Sequence, residues 1–281
     1  MLKNNDVWLI TGCSSGLGHA LAEETLKAGY RVVATARNAS ALSNLVSAHG
    51  DAVLAVALDV TKPDQIASAI SAAEDRFGCI DVLVNNAGYG YFGAIEEGED
   101  AGVHAMFETN VFGPWYMAKA ALPGMRERKR GHVVNISSVG GMVTYPAVGF
   151  YHMAKFALEG FSETLAKEVA PFGIGVTVVE PGAFRTEFRG TSSKQSSIRL
   201  SAYAATAGKA RDNVFAANGK QENDPVLGAR AIIQAVETDK PPLHLVIGGD
   251  ALDQIRRKLA DLSQELNIWE DLTRSTKFAD A

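Results

Sequence analysis

The chain has 281 residues, 47% hydrophobic and 21% charged, with a formal net charge of −5. These values allow a large buried core and exclude an extensively disordered chain; with no basic stripe, they argue against nucleic acid as a main partner. The two cysteines, Cys13 and Cys79, make no disulfide framework, lack metal-ligand neighbours and suit a reducing compartment.

In chain order, the first strand is expected at "VWLI" (7–10) and the first helix near 15–28. This four-residue apolar run is too short for a signal-peptide core, so a cytoplasmic protein is expected. Next come "RVVATA" (31–36) with a helix near 39–49, then "VLAVALDV" (53–60) with a helix at 63–77. Pro63 suits a first helical position, and Thr61 lies just upstream as a cap. "DVLVNNA" (81–87) precedes helical sequence at 100–128, and "HVVNIS" (132–137) precedes a helix at 150–170. "GVTVVEP" (175–181), a helix at 226–239 and "LHLVIG" (243–248) complete the series.

Most of these strands are apolar without alternation, as strands covered on both faces are. Strand–helix alternation predicts a parallel sheet, and right-handed crossovers make it doubly wound. The expected fold is therefore a single α/β domain of Rossmann type, with about seven parallel strands and helices on both faces. The uncharged run 131–154 is long enough to cross a membrane, but Asn135, Ser137, Ser138, its glycines and Pro146 do not suit a lipid-facing helix.

Two regions break the rhythm. Residues 187–225 hold no strand pattern and are expected to form a lid-like or partly mobile insert within a catalytic domain at 1–250. In the extension 251–281, Leu252, Ile255, Leu259, Leu262, Leu266 and Trp269 recur at spacings of 3, 4, 3, 4 and 3. This pattern predicts an amphipathic helix whose stripe docks on the same domain or on a second subunit.

Three features carry chemistry. "LITGCSSGLGHA" sets Gly12, Gly16 and Gly18 between the first strand and first helix, where glycines admit a pyrophosphate to a helix N-terminus. The second strand ends "VVATARN", with Arg37 where an acid would hold a ribose 2′-hydroxyl, which favours NADP over NAD. In "FYHMAKFALEG", Tyr151 stands four residues before Lys155, one helical turn apart. A nearby ammonium favours the ionised phenol, which would make the pair a proton donor and acceptor near neutral pH. No histidine among His49, His104, His132 and His152 is at metal-ligand spacing, and no metal is expected.

Together, T-G-x-x-x-G-x-G (Thr11 to Gly18), N-N-A-G (Asn85 to Gly88), Ser138 thirteen residues before the Tyr151–Lys155 motif, and Pro181–Gly182 resemble the short-chain dehydrogenases/reductases over about residues 4–250. "GCSSGLG", "ATAR" and "NNAGYGYFGAIEE" look most like the branch containing hydroxysteroid and retinol dehydrogenases and bacterial carbonyl reductases.

The resemblance implies roles. Tyr151 would be the general acid/base, Lys155 would lower its pKa and hold the nicotinamide ribose, and Ser138 would donate to the substrate oxygen. Asn110 would keep a water linking Lys155 to solvent. The cofactor would lie along Gly12, Ser14, Ser15, Gly16, Leu17 and Gly18, and against Arg37, Asp59, Val60, Asn86, Ala87, Gly88, Pro181, Gly182 and Thr186. The substrate pocket would be formed by Tyr89, Tyr91, Phe92, Met142, Val143, Tyr145, Val148, Phe184 and Phe188, whose apolar character suits a hydrophobic ketone, aldehyde or alcohol. The implied protein is an NADP(H)-dependent oxidoreductase, a homodimer or homotetramer without nucleic-acid or membrane partners. The alternatives are a catalytically silent cofactor sensor and an epimerase or dehydratase on the same scaffold.

Overall fold

Seven strands of the computed structural model pair side by side, all parallel: β1 (Val7–Ile10), β2 (Arg31–Ala36), β3 (Val53–Ala57), β4 (Val82–Asn85), β5 (Gly131–Ile136), β6 (Ile174–Pro181) and β7 (His244–Ile247). Their order in the sheet is β3-β2-β1-β4-β5-β6-β7. The structure describes residues 5–190 and 192–278. Residues 1–4, Thr191 and 279–281 fall outside them, and with them the outer ends of the expected segments 1–250 and 251–281 and one position of the 187–225 insert.

The helices in chain order are α1 (Gly16–Lys27), α2 (Ser43–His49), α3 (Pro63–Phe77), α4 (Asp100–Phe107), α5 (Gly113–Arg128), α6 (Gly149–Val169), α7 (Lys209–Ala216), α8 (Pro225–Glu237), α9 (Gly249–Ile268) and α10 (Glu270–Arg274). Successive strand residues face opposite sides. Trp8 and Ile10 therefore join Leu21 and Leu26 of α1 and Ile232 and Val236 of α8 in one core. Val7 and Leu9 join Ile66 and Ile70 of α3, Met117 of α5 and Leu165 of α6 in the other. Two cores on one sheet account for strands that are apolar at every position.

Several expected boundaries move for physical reasons. Strand β4 stops at Asn85, because the amides of Asn86 and Ala87 leave the ladder and donate to Thr11 Oγ1 at 2.9 and 3.0 Å. The helix expected over 100–128 is interrupted by a π-helical turn, Glu108–Phe112, which buries Asn110. Such turns recur at functional sites.

The insert is more ordered than its composition implies. It contains α7, and its Lys194–Gln195 pair runs parallel to Tyr91–Phe92 as a two-residue ribbon. Arg211 of α7 forms a buried ion pair with Glu97 at 3.2 Å, and Glu97 also accepts from the Leu200 amide at 2.9 Å. Glu99 accepts from Ser197 N and Oγ at 2.8 and 2.9 Å. The sequence reading missed these anchors because the contacts span about a hundred residues.

Of the tail's apolar stripe only Ile255 docks, and Leu252 before it is exposed. Ala251 and Ile255 are buried, whereas Leu259, Leu262, Leu266 and Trp269 stand exposed. Among the described residues no helix is long and apolar enough to cross a membrane.

Candidate active site

A cleft of about 1220 Å³ opens over the carboxyl ends of the central strands, where doubly wound sheets bind their ligands. Its first wall is the turn between β1 and α1. Gly12 and Gly16 take φ of +74° and +62°, conformations that strain other residues. A Cβ on Gly18 would lie 2.2 Å from Asn86 Nδ2 and 2.5 Å from Gly12 O, so only glycine fits there. Asn86 Nδ2 donates to Thr11 O at 2.8 Å and Gly12 O at 3.1 Å. The first and second sequence motifs thus brace one another.

Gly12, Ser14, Ser15, Gly16, Leu17, Gly18, Arg37, Asp59, Val60, Asn86, Ala87, Gly88, Pro181, Gly182 and Thr186 all line this cleft. Arg37 follows β2 and is exposed, with no acid beside it in the chain. Asp59 Oδ1 accepts from Thr61 N and Oγ1 at 2.9 and 2.8 Å, which fixes the turn after β3. Thr186 lies across from Gly16, where a Cβ would come within 3.4 Å of it. The donors, the glycine turn and the helix N-terminus fit a dinucleotide.

Ser138, Tyr151 and Lys155 line the same cleft. Ser138 follows β5, and its Oγ accepts from the Gly140 amide at 3.0 Å. Tyr151 and Lys155 lie one turn apart on α6, both buried, with Lys155 Nζ 5.5 Å from the Tyr151 ring centre. The ammonium donates to Ile136 O at 2.7 Å. Burial raises the Tyr151 pKa well above the ordinary phenol value, and a hydrogen bond with Ser138 works against it. Lys155 is pushed down to about 8 by burial, opposed by the Glu159 carboxylate. The direction is the reverse of the lowering expected from the lysine, because desolvation dominates at this buried phenol.

Asn110 sits behind this group rather than on the cleft surface. Its Oδ1 accepts from Tyr89 N at 3.0 Å and its Nδ2 donates to Tyr89 O at 2.8 Å. The side chain therefore anchors the segment after β4.

On the substrate side, Tyr89, Phe92, Tyr145, Val148, Phe184 and Phe188 line the cleft, and the Phe188 ring packs 5.3 Å from that of Tyr151. Three expected pocket residues do not. Tyr91 is buried beneath the wall, its ring against Phe150 and its hydroxyl donating to Glu99 at 3.2 Å. Met142 and Val143 are half-buried off the lining, on the turn after Ser138. Strand and turn geometry sends alternate residues away from a cavity, and composition cannot tell which.

The sequence reading missed Asp250 and Gln254, which bring the start of α9 into the wall. Asp250 accepts from Ala183 N and Asn223 Nδ2, each at 2.8 Å, and so fixes the Pro181–Gly182 turn. Gln254 Oε1 accepts from the Tyr145 hydroxyl. No local motif announces these contacts; they arise only when β7 pairs with β6. Arg189 and Lys194 also line the cleft, with Lys194 Nζ 5.2 Å above the Tyr89 ring.

Cys13 and His152 have structural employment. Burial pushes the Cys13 thiol up to about 12, out of the range of a thiolate nucleophile. His152 bridges Gly140 O at 2.8 Å and the Tyr145 amide at 2.9 Å, which fixes its tautomer and the loop between them.

Residues 6–197 match the short chain dehydrogenase family. Human retinol dehydrogenase 8 is 38% identical over 254 residues, covering 84% of this chain and 79% of that protein. The crystal structure of a short-chain dehydrogenase from Streptomyces avermitilis superposes with a TM-score of 0.92 at 45% identity, covering 98% of this chain and all of that one. The structure of ElxO with NADP bound superposes with a TM-score of 0.74 at 28% identity, over 89% of this chain and 100% of that one.

Proposed function

The chain belongs to the short-chain dehydrogenase/reductase family of oxidoreductases, and from that membership we propose that it is an NADP(H)-dependent reductase interconverting a hydrophobic ketone or aldehyde and its alcohol. The observation that carries this reading is the meeting of Ser138, Tyr151 and Lys155 in one cleft with the Gly12–Gly18 turn. The nicotinamide cofactor, when bound, supplies or accepts the hydride. Ser138 and Tyr151 aim two hydroxyl donors at the substrate oxygen, stabilising the charge that develops there. In reduction, Tyr151 gives its proton to that oxygen. The Lys155 ammonium favours the phenolate left behind and lowers the cost of its burial. Asn110 holds the Tyr89 backbone and with it one wall of the pocket.

NADP is favoured over NAD by Arg37 at the end of β2 with no acid beside it, and the ElxO relative is a precedent with NADP bound. An aromatic substrate wall, and likeness to a protein named for retinol, support an apolar carbonyl compound of medium size. Both cysteines are unpaired, which suits a cytoplasmic protein. Exposed Phe112, Trp115, Met153 and Phe156 on and beside α5 and α6 support a homo-oligomer, to be checked by light scattering.

The test is NADPH oxidation with a panel of carbonyl compounds of similar reactivity. Bulky aromatic or alicyclic ketones are expected to give higher kcat/KM than phosphorylated or sugar carbonyls, whose charge or hydroxyls need polar partners. The opposite preference overturns the apolar-substrate reading, and no turnover with any of them overturns the reductase.

A further inference from the structure

Behind the cleft, on the far side of the Ser137–Ser138 turn, lies a buried acidic group that the reaction as described does not use. Glu159 stands one turn after Lys155 on α6, and both are about 95% buried. Both side chains converge on the end of β5: Lys155 Nζ donates to Ile136 O at 2.7 Å, and Glu159 lies against the next residue, Ser137. A Cβ on Gly141 would fall 2.6 Å from Glu159 Oε1 and 2.7 Å from Ser137 Oγ, so the three groups share one small space. On its other side Glu159 Oε2 is 3.8 Å from His244 Nδ1 at the start of β7. That same nitrogen bonds Glu180 Oε1 of β6 at 2.8 Å. His244 Nε2 then reaches Glu163 Oε1 on α6, at the surface, at 3.9 Å.

Glu159 and Glu180 have no arginine or lysine nitrogen within 4 Å among the described residues, so these buried carboxylates are costly unless a cation from further off supports them. A buried ammonium whose hydrogen bond goes to a neutral carbonyl has the complementary need. We propose that Glu159 is the counter-ion of Lys155, a positioning residue that keeps the lysine protonated beside Tyr151, with His244, itself anchored on Glu180, supporting its charge from behind. The inference rests on the reductase reading given above. The electrostatics agree with the geometry. Burial pushes Lys155 down to about 8 and Glu159 alone opposes it, while burial and, to a lesser extent, the Glu180 carboxylate push Glu159 up to about 7 against Ser137, His244 and Lys155. The groups facing Glu159 are thus Lys155 and Glu163 from α6, Ser137 from the end of β5, Glu180 from β6 and His244 from β7.

The experiment is the pH profile of kcat for ketone reduction at saturating NADPH. Activity falls on the alkaline side as the Lys155–Tyr151 pair loses its proton. Glu159→Gln, nearly isosteric, removes the counter-charge, and the alkaline limb is expected to move about one unit to lower pH. His244→Gln leaves Glu159 in place but less readily ionised, and is expected to move the limb in the same direction by less. It should add nothing in the Glu159→Gln background. An unmoved limb with a lower plateau at every pH would make Glu159 mere scaffolding and overturn the proposal. So would stoichiometric Zn²⁺ binding by the wild type that Glu159→Gln abolishes, since the three donor groups lie within 4.8 Å of one another. If Glu159→Gln fails to fold, the His244→Gln shift decides alone. Failure of the reductase reading is separately visible: the wild type would then oxidise no NADPH with any ketone, and there would be no limb to move.

Discussion

A tyrosine buried deeply enough to exclude water is a poor acid or base until something offsets its desolvation. Ser138 supplies one hydrogen bond to Tyr151, and Lys155 supplies charge 5.5 Å from the ring centre. Tyr151→Phe keeps the packing against Phe188 and removes only the hydroxyl. Turnover should fall at least ~100-fold with NADPH affinity retained, measured by steady-state kinetics and fluorescence titration; retention of more than a tenth of the activity would dismiss Tyr151 as the acid. Arg37 makes the opposite kind of contribution, through binding alone. Arg37→Ala should weaken NADPH by roughly 1.5–3 kcal/mol, the worth of hydrogen bonds to a charged group, and leave NADH unchanged. Equal losses for both cofactors would mean that Arg37 does not meet a 2′-phosphate. These residues were legible in the sequence because their chemistry is tied to short spacings: a helical turn between Tyr151 and Lys155, and a glycine turn after a strand. Tyr91 and Met142 were misplaced because facing the cleft depends on which way a turn sends each side chain.

Among the elements, β5 carries more than its length implies. It brings Ser138 to the cleft, Ile136 O to Lys155, and at its other end a buried His132 whose Nε2 meets Thr177 Oγ1 of β6 at 2.9 Å. Burial pushes the His132 pKa down to about 4 from the ordinary 6.5. The unfolded chain therefore takes up this proton below about pH 6.5, while the folded chain refuses it until about 4. Stability is intact above pH 6.5 and declines as pH falls toward 4, by about 3 kcal/mol from this residue. In His132→Gln the loss of Tm between pH 6.5 and 4.5 should be distinctly smaller than in the wild type; parallel curves would show that other groups govern the acid side. The strands themselves were readable to within a few residues because two-sided burial demands unbroken apolar runs. The π-helical turn at 108–112 was not, since its cause is the pairing of Asn110 with Tyr89, a contact no periodicity encodes.

For the molecule as a whole, the parallel, doubly wound sheet followed from alternation and handedness, whereas the order of its strands and the closure of the cleft did not. That closure rests on pairs such as Arg211–Glu97 and Asp250–Ala183, which join distant parts of the chain. Arg211→Met leaves Glu97 buried without its cation and should cost about 3 kcal/mol in urea unfolding, with faster proteolysis between 196 and 210. A change under 0.5 kcal/mol would show that the pair does not secure the insert. The arrangement also bears on how this protein could be re-engineered. The segment over the cleft takes its anchors, Glu97 and Glu99, from the stretch following β4, the same stretch that supplies Tyr89 and Phe92 to the pocket. Roof and wall are therefore one inherited unit. A chimera that borrows residues 190–215 from a relative without also borrowing 89–99 would bring ill-matched partners to a buried carboxylate, so swaps of substrate preference are best cut to carry both pieces together.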